Sequence, residues 1–445
     1  MKFVYKIGML LIVSILTNTL FAQEFIKEIY GMDDDHPIVR EWGSYRVVSS
    51  SKIGHNSLSH FYLVQDNSSI VAIEEVNINM INDFVVSGDY VFFCGNTTHN
   101  NAQSGIMGYF NLNQFPNAPI TYLTITECKT LSKIATFGYN STSMRTFMTG
   151  IDTGDHSRVV EVLYTTYGGM MPGWRVYTTR VENLTGYQYF FDDLVLLDTT
   201  LVVAGRYMNP NTSQVARNGY LFYFGLNNVY PTPALSHCTR KDLGIGSIVE
   251  PLLLEKCSNN YFVVAEKNYT SSTNSYKVYL TSFNNYAYHS RMRFSPSGFD
   301  YVMKDMAFNA DSNILDFLIF TGNYESIIYN FNPSMAFSSR TASGRLYQDY
   351  HLNSLCYLNS SPKHFIAAGV YFYSTGNTPD LAKYNYSIAG TCSDSLFLLT
   401  KTDSPSFENY QSTNTYTDTY YMDESMNPIV ETKYQLIIRC TNKDN

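Results

Sequence analysis

A short apolar run that ends in a small residue and, in most copies, a glycine recurs six times along this chain. It stands at Val91-Phe92-Phe93-Cys94-Gly95, Thr146-Phe147-Met148-Thr149-Gly150 and Leu201-Val202-Val203-Ala204-Gly205. It returns as Phe262-Val263-Val264-Ala265, Leu318-Ile319-Phe320-Thr321-Gly322 and Phe365-Ile366-Ala367-Ala368-Gly369. The steps between copies are 55, 55, 60, 57 and 47 residues. A period of that size belongs to a fold made by stacking one supersecondary unit. It overrides the about three domains that length alone would suggest.

Each copy has the same neighbours. Upstream lies a strand that is often opened by an acid, as in Asp83-Phe84-Val85-Val86, Asp193-Leu194-Val195-Leu196 and Asp305-Met306-Ala307-Phe308. Downstream, past a polar loop, comes a third β-rich run (105–110, 158–163, 219–224, 276–280, 327–331 and 396–400) and then a more polar fourth (121–126, 174–180, 235–240, 288–294 and 338–344). Four short runs separated by Gly, Asn and Ser loops describe an antiparallel meander. No ten-residue stretch past the leader carries a helical stripe. The 38 Tyr and 28 Phe suit half-buried sheet faces.

One four-stranded sheet cannot cover both its faces, so such units must stack on each other. Radial stacking gives a β-propeller, with the most apolar strands innermost. The expected fold is therefore all-β, a single propeller of about seven four-stranded blades over residues 45–445. Six blades fill 81–422. The seventh is composed of Tyr45 to Val48, Phe61 to Val64 and Ile70 to Val76, with the C-terminal run Tyr434 to Arg439 as its missing innermost strand. Joining the two ends in one sheet would close the ring and remove open edges.

This pattern resembles the β-propeller superfamily, and it looks like propeller-like proteins exported by Gram-negative bacteria. The resemblance is architectural. No Trp-Asp pair marks the blades, Gly168-Gly169 is the lone Gly-Gly doublet, and the Ser-x-Asp-x-Gly-x-Thr-Trp box of sialidases is absent. Propellers carry unrelated functions, so the likeness implies no activity.

The N-terminus reads as a secretory leader over residues 1–22: Lys2 and Lys6, an apolar run from Ile7 to Leu16, and Ala22 at the cut. That run falls short of the roughly 20 residues a membrane span needs. Residues 23–44 read as a lead segment. The chain is thus expected to be exported, whether to the periplasm, the cell surface or the medium, without a transmembrane segment. Loss of two lysines moves the formal charge from −8 to −10. With no Lys/Arg block, nucleic acid and anionic membranes are excluded as partners. Seven cysteines, an odd number, are expected to be mostly free. Cys94 falls in the small slot filled elsewhere by Thr149, Ala204, Thr321 and Ala368.

The repeated acids Asp83, Asp193 and Asp305 are expected at one mouth of the central channel, with Lys133, Pro251 and Ser354 in the same place in other blades. They either ring the mouth to hold a cation or accept backbone hydrogen bonds in the turn. No metal site is read: Asp33-Asp34-Asp35-His36 lacks the spacing of a calcium loop. No cofactor is implied. Trp174 and Tyr177, in YTTYGGMMPGWRVY, are candidates for stacking on a sugar or for anchoring their loop. His289, Arg291 and Arg293 fall on one strand face by period two, as a grip for an acidic glycan or as an edge guard. The leading reading is a non-catalytic binding module whose rigid propeller presents loops to a glycan or a surface protein. The alternatives are a hydrolase or lyase acting on polysaccharide, with acids drawn from several blades, and a structural part of an envelope assembly.

Overall fold

In the computed structural model, the described residues are 25–28, 35–51, 59–65, 70–76, 78–99, 102–139, 143–165, 173–180, 188–208, 217–226, 234–243, 247–248, 251–270, 275–284, 287–294, 301–321, 325–331, 343–348, 350–357, 364–373 and 376–385, with short strands at 397–398, 408–409, 420–421, 429–432 and 438–440. The leader at 1–22 lies outside them. Strand β1 (Phe25–Glu28) comes first. Sheet I follows with β2 (Asp35–Trp42), β3 (Tyr45–Ser51), β4 (Ser59–Gln65) and β5 (Ile70–Val76). Sheet II has β6 (Met80–Ser87), β7 (Tyr90–His99), β8 (Ala102–Asn111) and β9 (Thr121–Ile125). Sheet III has β10 (Cys128–Tyr139), β11 (Ser143–Asp152), β12 (Ser157–Thr165) and β13 (Gly173–Arg180). Sheet IV has β14 (Gln188–Leu196), β15 (Thr200–Met208), β16 (Arg217–Leu226) and β17 (Leu235–Asp242).

The two-residue strand β18 (Ser247–Ile248) links sheet IV to sheet V, made of β19 (Leu253–Lys256), β20 (Tyr261–Thr270), β21 (Ser275–Asn284) and β22 (Ala287–Phe294). Sheet VI has β23 (Tyr301–Asn309), β24 (Ile314–Thr321), β25 (Glu325–Phe331) and β26 (Ser343–Gln348). Sheet VII has β27 (Tyr350–Tyr357), β28 (His364–Tyr373) and β29 (Gly376–Asn385), and its fourth strand is β1, from the other end of the chain. Every pairing is antiparallel, and the chain is all-β.

Burial follows the strand alternation: successive residues face opposite neighbours. Phe93 packs between sheets I and II, while Phe92 and Cys94 pack between II and III. The same division recurs at Val203 and Val202 in sheet IV, and at Val263 and Val264 in sheet V. Among the described residues, six hydrophobic clusters lie between successive sheets from I to VII. In the first, Phe61 meets Phe84, Phe93 and Phe110 with ring centroids 5.4, 5.4 and 5.1 Å apart. Such aromatic pairs add about 0.5–1.5 kcal/mol each beyond the area they bury. Sheet VII meets sheet I through β27 and β2: Ser354 Oγ accepts from the Val39 N–H at 3.4 Å and from the Arg40 guanidinium at 3.1 Å.

The recurring glycine has a specific cause. In sheets II, III, IV, VI and VII the first strand carries a one-residue bulge, at Asn82, Ser132, Asp192, Lys304 and Asn353. The bulge pushes backbone onto the second strand. A methyl at Gly95 would stand 1.8 Å from the Met80 carbonyl oxygen, and one at Gly205 would stand 2.7 Å from that of Phe190. Only glycine admits so close an approach. The residue paired with the position after the bulge, or with its equivalent in sheet V, is Ser49, Cys94, Thr149, Ala204, Ala265, Leu318 or Ala368, and all are 0% exposed. Sheet VI therefore fills this slot with Leu318, not with Thr321.

Several expectations change. The innermost strand of sheet I is Asp35–Trp42, inside the supposed lead segment, so the C-terminal run is not needed there. That run supplies β34 (Ile438–Cys440), which pairs with β9 instead. The third strand of sheet VII is β29, and Phe397–Leu398 forms β30 beside β26. The two chain ends do not share a sheet. β1 joins the last sheet, and the chain past Asn385 adds a fifth strand to sheets VI, V, IV, III and II in turn: β30, β31 (Glu408–Asn409), β32 (Tyr420–Tyr421), β33 (Ile429–Thr432) and β34. Ending the chain at Asn385 is accordingly expected to preserve one cooperative melt while five uncovered edges promote self-association. Thermal unfolding alongside size-exclusion chromatography checks this; a truncated chain with no folded baseline would refute the layout.

The cysteines agree with expectation. Cys94, Cys128, Cys238, Cys257 and Cys356 are free and buried. Burial pushes the thiols of Cys128 and Cys356 up to about 12, so both stay protonated and unreactive. Cys128 opens β10 and does not end the strand before it. Cys392 lies outside the described residues.

Candidate functional site: a channel with a charged girdle

The first strands β2, β6, β10, β14, β19, β23 and β27 all line one cavity of about 630 Å³. A second cavity of about 200 Å³ lies against β2, β6, β10, β23 and β27 on the side of the bulges. Two tiers of side chains separate the two. Directly after the bulge, or at the equivalent place in sheet V, come Ile38, Asp83, Lys133, Asp193, Leu253, Asp305 and Ser354. Two residues on, on the same strand face, come Arg40, Val85, Ala135, Val195, Glu255, Ala307 and Cys356. The tiers compensate each other. Sheets I and V have apolar Ile38 and Leu253 in the first tier, and they alone place a charge, Arg40 or Glu255, in the second.

These charges tie each sheet to the next. Asp83 takes Arg40 Nη2 on Oδ1 at 3.0 Å and the Ile134 N–H on Oδ2 at 3.2 Å. Asp193 takes the N–H of Leu194 and, from sheet V, that of Leu254, both at 2.8 Å. Glu255 Oε1 takes the Phe308 N–H of sheet VI at 2.9 Å. Asp305 takes the N–H of Met306 at 2.9 Å, and from sheet VII the N–H of Leu355 at 2.8 Å and the Ser354 hydroxyl at 2.9 Å. A first strand has a free edge toward the channel, and its N–H groups there need acceptors. The acids supply them.

The electrostatics follow from burial. Asp193 is raised to about 6, mainly by loss of water, with Lys133 and the two N–H groups working against the rise. Glu255 goes to about 8, again by burial first and then by the Asp305 charge. Lys133 is held well above its ordinary value, chiefly by Asp193. At the rim of the larger cavity stand Phe137, 44% exposed, with Asp198, Lys256, Phe308 and Tyr357. The Tyr357 hydroxyl donates to Asp316.

Asp83, Asp193 and Asp305, expected at one mouth of a channel, line the larger cavity together with Arg40, Lys133 and Glu255, and Asp83 and Asp305 also line the smaller one. They accept backbone N–H groups, mostly of the next sheet and not only in their own turn. Among the described residues no group of three His, Cys, Asp or Glu side chains is set to hold a metal. Leu253, not Pro251, takes the place of the acid in sheet V. Glu255 was missed, although an acid directly after the apolar run Leu252-Leu253-Leu254 was its signal.

The other candidates lie elsewhere. Trp174, the second residue of β13, packs on Tyr164 at 4.8 Å and on Tyr109 of sheet II at 5.7 Å, so it wedges two sheets. Tyr177 is buried on the same strand. Arg291 and Arg293 are on β22, paired with Thr281 and Tyr279, and Arg293 also pairs with Glu408 of β31. A register shift at His289 breaks the alternation that would put it with them, and its exposed ring meets Tyr261 at 5.8 Å. Trp174, Tyr177 and His289 line neither cavity.

No family model matches the chain, and no curated protein matches it. Among solved structures it is similar to one titled "Crystal structure of polysaccharide lyase Uly1", at 6% identity and a TM-score of 0.41, covering 79% of this chain and 90% of that one. A likeness that slight says nothing about activity. Among the described residues no helix is long and apolar enough to cross a membrane.

Proposed function

We propose that the seven sheets close into one seven-bladed β-propeller, and that this exported protein is a non-catalytic binding module whose glycan ligand seats in the wide mouth of the channel. One observation carries the reading: the girdle carboxylates are already spent on backbone N–H groups and cations. What the wide mouth offers a ligand is a preformed cavity with the exposed Phe137 ring beside polar side chains, the mix that binding sites for small molecules share. Screening the mature chain on a glycan array, with reducing-sugar release measured alongside, tests it. Phe137→Ala is expected to weaken the best hit at least tenfold while the melting curve stays the same; equal binding would sink the reading. A hydrolase or lyase is the second reading, favoured by Glu255, a cavity-facing carboxyl held protonated at neutral pH as a general acid requires. It predicts sugar release that Glu255→Gln abolishes.

A further inference from the structure

The wide cavity holds more acid than base. Asp83, Asp193, Asp198, Glu255 and Asp305 line it against Arg40, Lys133 and Lys256. Asp198 and Lys256 stand at the exposed rim and offset each other. Deeper in, four carboxyls share two cations.

The excess falls on one of the four. Each girdle aspartate has both carboxyl oxygens taken. Asp83 gives Oδ1 to Arg40 and Oδ2 to the Ile134 N–H. Asp193 gives Oδ1 to the Leu194 N–H and Oδ2 to that of Leu254. Asp305 gives Oδ1 to the Met306 N–H, and Oδ2 to the Ser354 hydroxyl and the Leu355 N–H. Glu255 differs. Its Oε1 accepts the Phe308 N–H at 2.9 Å, but among the described residues nothing donates to Oε2 and no cation is in ion-pair contact with it. Arg40, the other charge of that tier, is committed to Asp83. The groups whose charges reach Glu255 from other strands are Asp305, Asp193 and Arg40. Asp83, Lys133 and Cys356 line the same cavity, and Lys256 and Cys257 follow it in the chain. Burial first, then Asp305, pushes the Glu255 carboxyl up to about 8, so it is neutral at pH 7 for want of a countercharge. An opposite charge beside such a group restores its ionised form.

We propose that the wide mouth selects a primary amine carried on a sugar, an amino-sugar residue, with Glu255 as the counter-ion of its ammonium. This rests on the reading of the wide mouth as a glycan site and adds the charge that the site selects. The ammonium brings three donors, of which Oε2 takes one. The step balances: a Glu255 carboxylic acid and a ligand ammonium give a carboxylate–ammonium pair and one proton released to solvent. The complex therefore holds one proton fewer than its free parts. Affinity rises with pH while the free amine stays charged, which an amine of the α-amino kind does up to about pH 7. The same excess of acid turns away an acidic sugar.

Calorimetric titration of the mature chain at pH 6.5 with a glucosamine tetramer, its N-acetylated counterpart and tetralysine is the test. The glucosamine tetramer is expected to bind at least tenfold tighter than the N-acetylated one. Heats in two buffers of different ionisation enthalpy should show about one proton released, and affinity should rise about tenfold from pH 6 to pH 7. Glu255→Gln keeps a carbonyl oxygen for the Phe308 N–H; it should lose the tenfold preference and release no proton. Asp155→Asn, at the surface pair with Lys129, should change neither. Should Glu255→Gln fail to fold, the proton count of the wild type decides, and binding without release overturns the proposal. Equal binding of the two sugars overturns the amine and leaves the glycan reading standing. Tetralysine binding in place of the sugars assigns the site to a peptide and overturns both. No binding of any of the three overturns the proposal, and the glycan reading then stands or falls by the array and Phe137→Ala.

Discussion

Replacing Asp83 by alanine is expected to cost about 2–4 kcal/mol of stability. Removing one partner of a buried ion pair costs about 3–5 kcal/mol, because the other charge is left without compensation. Here Arg40 keeps some water, its side chain being 27% exposed against 8% for Asp83, and the figure is reduced accordingly. The Ile134 N–H loses its acceptor at the same time. A surface pair such as Lys129 with Asp155, at 2.7 Å, is worth about 0–1 kcal/mol by comparison, because solvent screens it. Urea unfolding of Asp83→Ala and Asp155→Ala side by side separates the two. Equal small losses in both would mean that the girdle does not hold the sheets together.

Raising the pH from about 5 to about 8 is expected to destabilise the protein, which runs against the usual behaviour of carboxylates. Asp193, Glu161 and Glu255 are raised to about 6, 7 and 8, each by burial before any other cause. In the unfolded chain such groups ionise near 4. Between the two values the folded state holds protons that the unfolded state has released, so stability falls as pH rises, by up to about 1.4 kcal/mol per pH unit for each extra proton. His351 works the other way. Held down to about 3, it stays neutral while the unfolded chain takes up a proton below about 6.5. Below pH 6 that is one group against three, and above 6.5 it drops out. On the acid side Asp152, lowered by N–H groups of His156 and Gly154 and by Arg158 despite its burial, loses its contribution as it becomes protonated. Urea midpoints from pH 4 to 8 should therefore decline above about 5, and Glu255→Gln should flatten the decline between 7 and 8. A midpoint that rises through that window contradicts the burial of these carboxyls.

Local pattern carried much of this structure. In sheets II, III, IV and VII glycine and a small partner mark the second strand opposite a bulge, whereas sheet VI meets its bulge with Leu318 and Ile319. The aspartates before apolar runs were legible in the same way. What failed was the choice of partner. Leu436-Ile437-Ile438 reads as apolar as an inner strand, yet Ile438 opens β34 beside β9, while β2 holds Pro37, Arg40 and Glu41 and so lacks a strand's usual composition. Pairing is decided by distant sequence, and nothing within either segment encodes it. The bulges had a second effect. One extra residue shifts every assignment beyond it by one position, which explains the lost alternation at His289. Arg40 and Glu255 were hidden because two sheets move their charge one tier along, a substitution that is visible only when the tiers are seen together.

The retrograde path of β30 to β34 has a consequence for the order of synthesis. The last strand to be made, β34, rests on sheet II, among the first to be made, and β1 waits for β29 across nearly the whole length of the chain. Until the segment beyond Asn385 is complete, five outer edges stand open. A chain interrupted there has its inner strands and none of these outer pairings, so five sheet edges stay open to any other strand that meets them.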